Sequence, residues 1–188
     1  MIKKQRLFLA IKLPAQLIEQ ITEYQKNLNP EIFRIVPAEN LHLTIVFIGG
    51  AEGQKTEEIK KVVSGVAKKF SLSEIKFEET VYGPNPENPR LIWLKGKYNL
   101  DYENLKKELE DNLIRAGVNL EKENRKFLPH ITLARIKEQK SHLLPLPGKV
   151  EKKMFFAFTP QGIWLMESLL MPIGAQYKNL EEFSFSVK

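Results

Sequence analysis

His42-Leu43-Thr44-Ile45 recurs as His130-Ile131-Thr132-Leu133, and these two short stretches decide the fold. They begin 88 residues apart in a chain of 188, close to half its length. Each lies in a run of bulky and β-branched apolar residues, Leu41 to Ile48 and Phe127 to Ile136, with the length and composition of a strand. Each also lies downstream of a segment with helical periodicity. A duplicated unit of this kind predicts two related lobes, each presenting one His-x-Thr strand.

Working outward, Arg6 to Lys12 reads as a strand closed by Pro14. Leu17, Ile18, Ile21, Tyr24 and Leu28 then recur at helical spacing, until Asn29-Pro30 stops the pattern. A second helix follows from the apolar stripe Ile59, Val62, Val63, Val66, Ala67 and Phe70. Ile75 and Phe77 suggest a strand, and Gly83 to Pro89, with three prolines, a loop. Arg90 to Lys95 resumes as a strand. Tyr102, Leu105, Leu109, Leu113 and Ala116 mark a third helix, capped by Gly117. Ser141 to Gly148 reads as a loop containing His142, and Phe155 to Phe158, Gly162 to Met171 and Phe183 to Val187 complete the strands. Many strand connections are too short for a helical crossover, so antiparallel pairing is expected to dominate and the class is α+β.

Composition narrows the chemistry. With 43% apolar and 28% charged residues the chain is an ordinary globular one, which excludes disordered and fibrous classes. The net charge of +6 suits a polyanionic partner such as nucleic acid, though excess charge also serves solubility. There is no cysteine, which removes disulfides, thiolate-bound metals and thiol catalysis and fits a reducing compartment. Lys3, Lys4 and Arg6 before Leu7-Phe8-Leu9-Ala10-Ile11 imitate a secretion signal. The apolar run is too short, Lys12 breaks it and no cleavage site follows, so a soluble cytoplasmic protein without a membrane partner is expected.

Side chains two apart on a strand share a face, so His42 points with Thr44 and His130 with Thr132. Two such strands side by side would surround one cavity with two imidazoles and two hydroxyls. One imidazole can take a proton while the other gives one. Threonine hydroxyls can donate to phosphate oxygens. A single histidine on an apolar strand is ordinarily a packed core residue; two copies that use two of only three histidines are not so easily dismissed. A catalytic metal would want a third ligand. Neither motif supplies one, and Glu39 falls on the opposite face of an extended segment. No metal and no cofactor are expected, and no nucleotide-binding glycine pattern is present.

The residues are similar to those of the 2H phosphoesterase superfamily, named for its two His-x-Thr/Ser-x motifs. Within it the chain resembles the RNA 2′,3′-cyclic phosphodiesterases, also called 2′–5′ RNA ligases. The likeness rests on Arg6–Ile11 with Pro14, on Glu39–Gly49, on Arg125–Arg135, and on the tail from Ile163 through Ser168, Tyr177, Leu180 and Phe183. It implies a bilobal α+β fold with two mainly antiparallel sheets forming a central basic cleft and helices on the outside. Residues 1–188 would then be one domain of two pseudo-symmetric lobes, with a motif in each at 42–45 and 130–133.

The resemblance further implies opening of RNA 2′,3′-cyclic phosphate ends to 2′-phosphates without a metal. His130 would be the proton acceptor, His42 the proton donor, and Thr44 and Thr132 the phosphate-oxygen ligands. The sequence alone is symmetric as to which histidine is the acid. Run in the joining sense, the site would link a 5′-hydroxyl to a cyclic phosphate through a 2′–5′ bond. Arg135 is implied as a phosphate contact, Phe47 as a base-stacking surface, and Arg125 as a further RNA contact. Arg135 and Phe47 each sit five residues past a motif histidine, an odd offset that needs a bulge or a strand end to reach the same face; read from the residues alone, Arg135 could equally be a surface ion pair, Phe47 a packed core residue and Arg125 a solvated loop charge. In the family an aromatic residue, often tryptophan, is common a few residues before the first motif; here the stretch is Phe33-Arg34-Ile35-Val36, a departure that leaves a stacking role there open. The expected partner is RNA with a cyclic phosphate end, tRNA fragments among the candidates, bound by a monomer. Two rival readings remain open: an enzyme for a small cyclic nucleotide or ADP-ribose cyclic phosphate, and a catalytically silent RNA-binding module.

Overall fold

A computed structural model describes residues 4–122, 125–137, 150–171 and 174–186. Three of its elements frame the first motif: β1 (Gln5–Lys12), α1 (Ala15–Gln25) and β3 (His42–Ala51). Between α1 and β3 lie a three-residue strand, β2 (Phe33–Ile35), and a 3-10 turn at Ala38–Asn40. There follow α2 (Gly53–Ala67), β4 (Ile75–Gly83), β5 (Leu91–Gly96), α3 (Leu100–Arg115), β6 (His130–Ile136), β7 (Lys152–Phe158), β8 (Gly162–Met171) and β9 (Gly174–Ser184). Ser141–Gly148 and His142 lie outside the described residues.

Every strand pairing among the described residues is antiparallel. The order is β7-β4-β5-β6-β3-β1-β8-β9, with β2 also paired to β6. The sequence predicts two sheets; the ladder joins them into one path, but at the seam β3 and β6 share only the pair Leu43↔Ile131. Four strands stand on each side of that seam, and the strand next to it on each side carries a His-x-Thr motif. β2 continues the flank of β6 where β3 has diverged, pairing Phe33 to Ile35 with Ile136 to Ala134.

The helices cover one face of this sheet. Leu17, Ile21 and Tyr24 of α1, Ile59 and Val63 of α2, and Leu105, Leu109 and Leu113 of α3 are buried in one cluster with Leu7, Leu9, Ile11, Leu43, Ile131 and Leu165. The alternate strand positions Phe8, Ala10 and Met166 belong to a separate small cluster with Trp164 and Tyr177 on the other face. The period-2 pleat therefore sorts one set of side chains to the core and leaves the other for a site. Helix α3 starts where Asn99 Oδ1 accepts from the Asp101 amide at 2.9 Å, with Asp101 and Glu103 favourably placed in its first turn. It ends as predicted, with Gly117 at φ +74°.

Candidate active site

β3 and β6 show the same burial sequence over their first seven residues: half-buried, buried, half-buried, buried, buried, exposed, buried. Two buried residues in succession signal a break in the pleat, and the register supplies it. Across from β1, Ala10 faces Thr44 while Leu9 faces Val46, so Ile45 is the extra residue. Across from β5, Trp93 faces Thr132 while Ile92 faces Ala134, so Leu133 is the extra residue. The same bulge occurs at the same place in both motifs. It advances the pleat by one residue and turns Phe47 onto the face of His42 and Thr44, and Arg135 onto that of His130 and Thr132. Phe47 is 71% exposed there, and Arg135 is exposed too.

Each imidazole is oriented by the backbone two residues before it. His42 Nδ1–H donates to the Asn40 carbonyl at 2.7 Å, and His130 Nδ1–H to the Leu128 carbonyl at 2.8 Å. A carbonyl can only accept, so Nδ1 keeps its proton and Nε2 is the titrating nitrogen in both rings. Thr44 Oγ1 lies 3.0 Å from His42 Nε2 and donates to it when the ring is neutral. Asn40 is itself buried, and its side-chain amide donates to the Ala175 carbonyl at 2.9 Å, tying the 3-10 turn to β9.

The packing around the two rings was not legible from the motifs. Trp93 lies against His130 with ring centroids 4.0 Å apart. Phe8 and Tyr177 lie 5.1 and 5.0 Å from His42, and Phe8 reaches Phe47 at 6.3 Å. Cross-strand register would have found Trp93, opposite Thr132, and Phe8, opposite Phe47. Each histidine also faces a lysine, Lys12 opposite His42 and Lys95 opposite His130. Lys12 Nζ rests 3.5 Å over the Trp164 ring.

Burial pulls the His42 imidazole below its ordinary value of 6.5; the Asn40 hydrogen bond opposes this, and the positive charges of Arg135 and His130 add to it. The two motif strands thus meet in one electrostatic environment, with Arg135 in it. Arg125 is exposed on the approach to β6. Among the described residues no group of three or more His, Asp or Glu side chains is gathered so as to hold a metal ion. No helix among them is long and apolar enough to cross a membrane.

The model of the LigT-like phosphoesterase family matches residues 11–93. A protein of Methanocaldococcus jannaschii named RNA 2′,3′-cyclic phosphodiesterase is 31% identical over 182 residues, 95% of this chain and 99% of that one. The chain belongs to the LigT-like phosphoesterases. An Escherichia coli protein of the same name is 31% identical over 79% of this chain and 81% of its own. Among solved structures, TT0787 of Thermus thermophilus superposes with a TM-score of 0.82 at 27% identity, covering 96% of this chain and 97% of that one. E. coli LigT complexed with 3′-AMP superposes at 0.75 and 26% identity, covering 98% and 100%. The α+β architecture with a large antiparallel sheet is therefore that of the LigT-like family, as the motifs predict.

Proposed function

We propose that this LigT-like phosphoesterase opens RNA 2′,3′-cyclic phosphate ends to 2′-phosphates by acid–base catalysis between His42 and His130. The supporting observation is that two imidazoles from two strands, each with Nε2 as its titrating nitrogen, share one electrostatic environment. Relatives named for this activity span nearly the whole chain, and the E. coli LigT structure holds 3′-AMP.

In this reading His130 Nε2 takes a proton from water as the water oxygen bonds to phosphorus. The bond from phosphorus to the 3′-oxygen breaks, and that oxygen takes the proton of His42 Nε2. Thr44 and Thr132 donate to the non-bridging oxygens. The present Thr44–His42 hydrogen bond fits such a handover. A neutral His42 accepts from Thr44; a protonated one donates to the leaving oxygen and frees the hydroxyl for phosphate. The lowered His42 value is corrected on binding, because an anionic phosphate favours the imidazolium. Arg135 supplies a guanidinium to phosphate, Phe47 a face for a base, and Arg125 a further RNA contact. With a 5′-hydroxyl in place of water, the same step would join two ends through a 2′–5′ bond. Two proton carriers and a polar cradle suffice for this displacement, so the reaction is read as metal-independent, carried out by a cytoplasmic monomer of two related lobes.

The test is a short RNA with a 2′,3′-cyclic phosphate end, incubated with excess chelator, with the product's phosphate position identified. A 2′-phosphate is expected, and His42→Ala and His130→Ala should each lower the rate by roughly 10²–10⁴-fold. A 3′-phosphate product, or near-wild-type turnover by either variant, would refute the reading.

A further inference from the structure

The short strand β2 sets Arg34 directly opposite Arg135 across its ladder with β6. Opposed residues of an antiparallel pair point to the same face. The flanking Phe33 and Ile35 belong to the helix-covered core, as do their partners Ile136 and Ala134. Arg34 therefore stands beside Arg135 on the face that carries both motif histidines. Both arginines are exposed, and neither has a carboxylate partner among the described residues. From the other side Arg135 faces Leu91, which brings no charge to the row. Like charges directly opposed destabilise a sheet. This pair sits where β2 takes over the flank of β6 from β3, at one end of the seam between the two halves.

We propose that Arg34 is a phosphate-binding residue which, with Arg135, takes a second phosphate: the phosphodiester adjoining the cyclic end of the RNA. The identity of that ligand rests on the proposed reaction. The reacting phosphate lies between two Nε2 atoms and two threonine hydroxyls. Arg34 is one strand further out than Arg135, a step of about 4.8 Å, and so extends beyond the reacting phosphate. Guanidinium groups grip phosphate oxygens in pairs, and two of them side by side are neutralised by an anion shared between them. The consequence is selectivity: a substrate with a phosphate upstream of its cyclic end binds better than a nucleoside cyclic phosphate alone.

The experiment compares a dinucleotide ending in a 2′,3′-cyclic phosphate with adenosine 2′,3′-cyclic phosphate. Arg34→Ala should raise KM about 10-fold on the dinucleotide, the scale of a lost charge-assisted hydrogen-bonding group, with kcat within about twofold. The rise on the mononucleotide should be at least about fivefold smaller. The salt dependence of log KM on the dinucleotide should lose about one unit of slope, and Arg34→Lys should recover part of the loss. Lys61→Ala, which removes one exposed charge from α2, controls for net charge. Equal losses on both substrates, or none on the dinucleotide, overturn the proposal. Calorimetric binding of the corresponding unreactive dinucleotide and mononucleotide 3′-phosphates separates this result from the reaction itself. If neither cyclic substrate is turned over by the wild type, the proposed reaction fails, and the Arg34 effect on these two dissociation constants still decides the phosphate site. Wild-type protein that binds the dinucleotide no more tightly than the mononucleotide also overturns it.

Discussion

One methyl group added at Gly83 should disable His130 without touching it. Gly83 ends β4, Trp93 lies on β5 and His130 opens β6, so the indole is wedged between the glycine and the imidazole. A Cβ at position 83 would fall 2.5 Å from Trp93 Cδ2 and Cε3 and 2.9 Å from Cε2. Carbon atoms in contact sit about 3.5–4.0 Å apart, so the ring must retreat by about 1 Å. Its retreat runs toward His130, whose ring centroid is only 4.0 Å away and whose Nδ1 is pinned to the Leu128 carbonyl. A displacement of that size at a reacting group costs about 100-fold in rate, and the overpacking costs about 1–3 kcal/mol of stability. Gly83→Ala should therefore lower kcat on cyclic-phosphate RNA about 100-fold while the chain still folds, as read by urea melts. In a Trp93→Leu background there is no indole to displace, and the added methyl should change kcat by less than about twofold and stability by less than about 0.5 kcal/mol. Wild-type kcat in Gly83→Ala, or an undiminished loss in the Trp93→Leu background, would refute the wedge.

Phe47→Ala should raise KM for RNA by about 5–150-fold, the worth of one base stacked on an aromatic ring. Because Phe47 is 71% exposed, its loss should leave urea stability within about 0.5 kcal/mol of wild type; a larger stability loss with unchanged KM would make it a packing residue. Burial, above all, holds the folded His42 value below 6.5, so on acidification the unfolded chain binds this proton first. The associated stability is present above pH 6.5 and is lost as pH falls from there through the folded value. Urea melts between about pH 7.5 and 5 should show that decline, and His42→Gln should make it shallower. NMR titration should place His42 higher in Arg135→Met than in wild type, because one of the lowering charges is gone; an unmoved or lower value would contradict the shared environment.

The sequence carried the strands that alternate or run apolar and the helices with a clear stripe, because burial writes those patterns. Gly162 to Met171 is β8 to the residue, and Gly117 caps α3. Three features left weaker traces. β2 is three residues long, too short for a period to register, and its role comes from filling the flank of β6. β9 runs from Gly174, far ahead of the predicted Phe183, because an edge strand rich in Gln, Lys, Asn and Glu carries little apolar signal. β6 begins at His130 and not at Phe127, since Pro129 just before it has no N–H to give a ladder. Within the site, the motif histidines and threonines were legible as a pattern. Trp93, Phe8 and Asn40 were not, because what recruits them is cross-strand register and a carbonyl direction, neither of which a single sequence states.

The bulge after each threonine explains how a nearly symmetric frame makes a directional site. β3 and β6 run antiparallel through Leu43 and Ile131, so residues five positions beyond each histidine depart from the seam toward opposite ends. Were Ile45 and Leu133 paired in a regular pleat, the positions at 47 and 135 would point into the helix-covered core, where an arginine could not remain charged without a partner. With the bulges, both positions are delivered to the open face, and what the frame repeats the sequence then varies. One end receives Phe47 beside Phe8, an aromatic wall. The other receives Arg135, joined by Arg34 from β2. On the proposed function, a nucleotide with a base at one extremity and phosphates at the other fits between two such ends in one orientation only. On the proposed chemistry that orientation is what makes His42 and His130 unequal: the symmetric pair of imidazoles becomes an acid and a base because the substrate's 3′-oxygen is presented to one ring and water to the other.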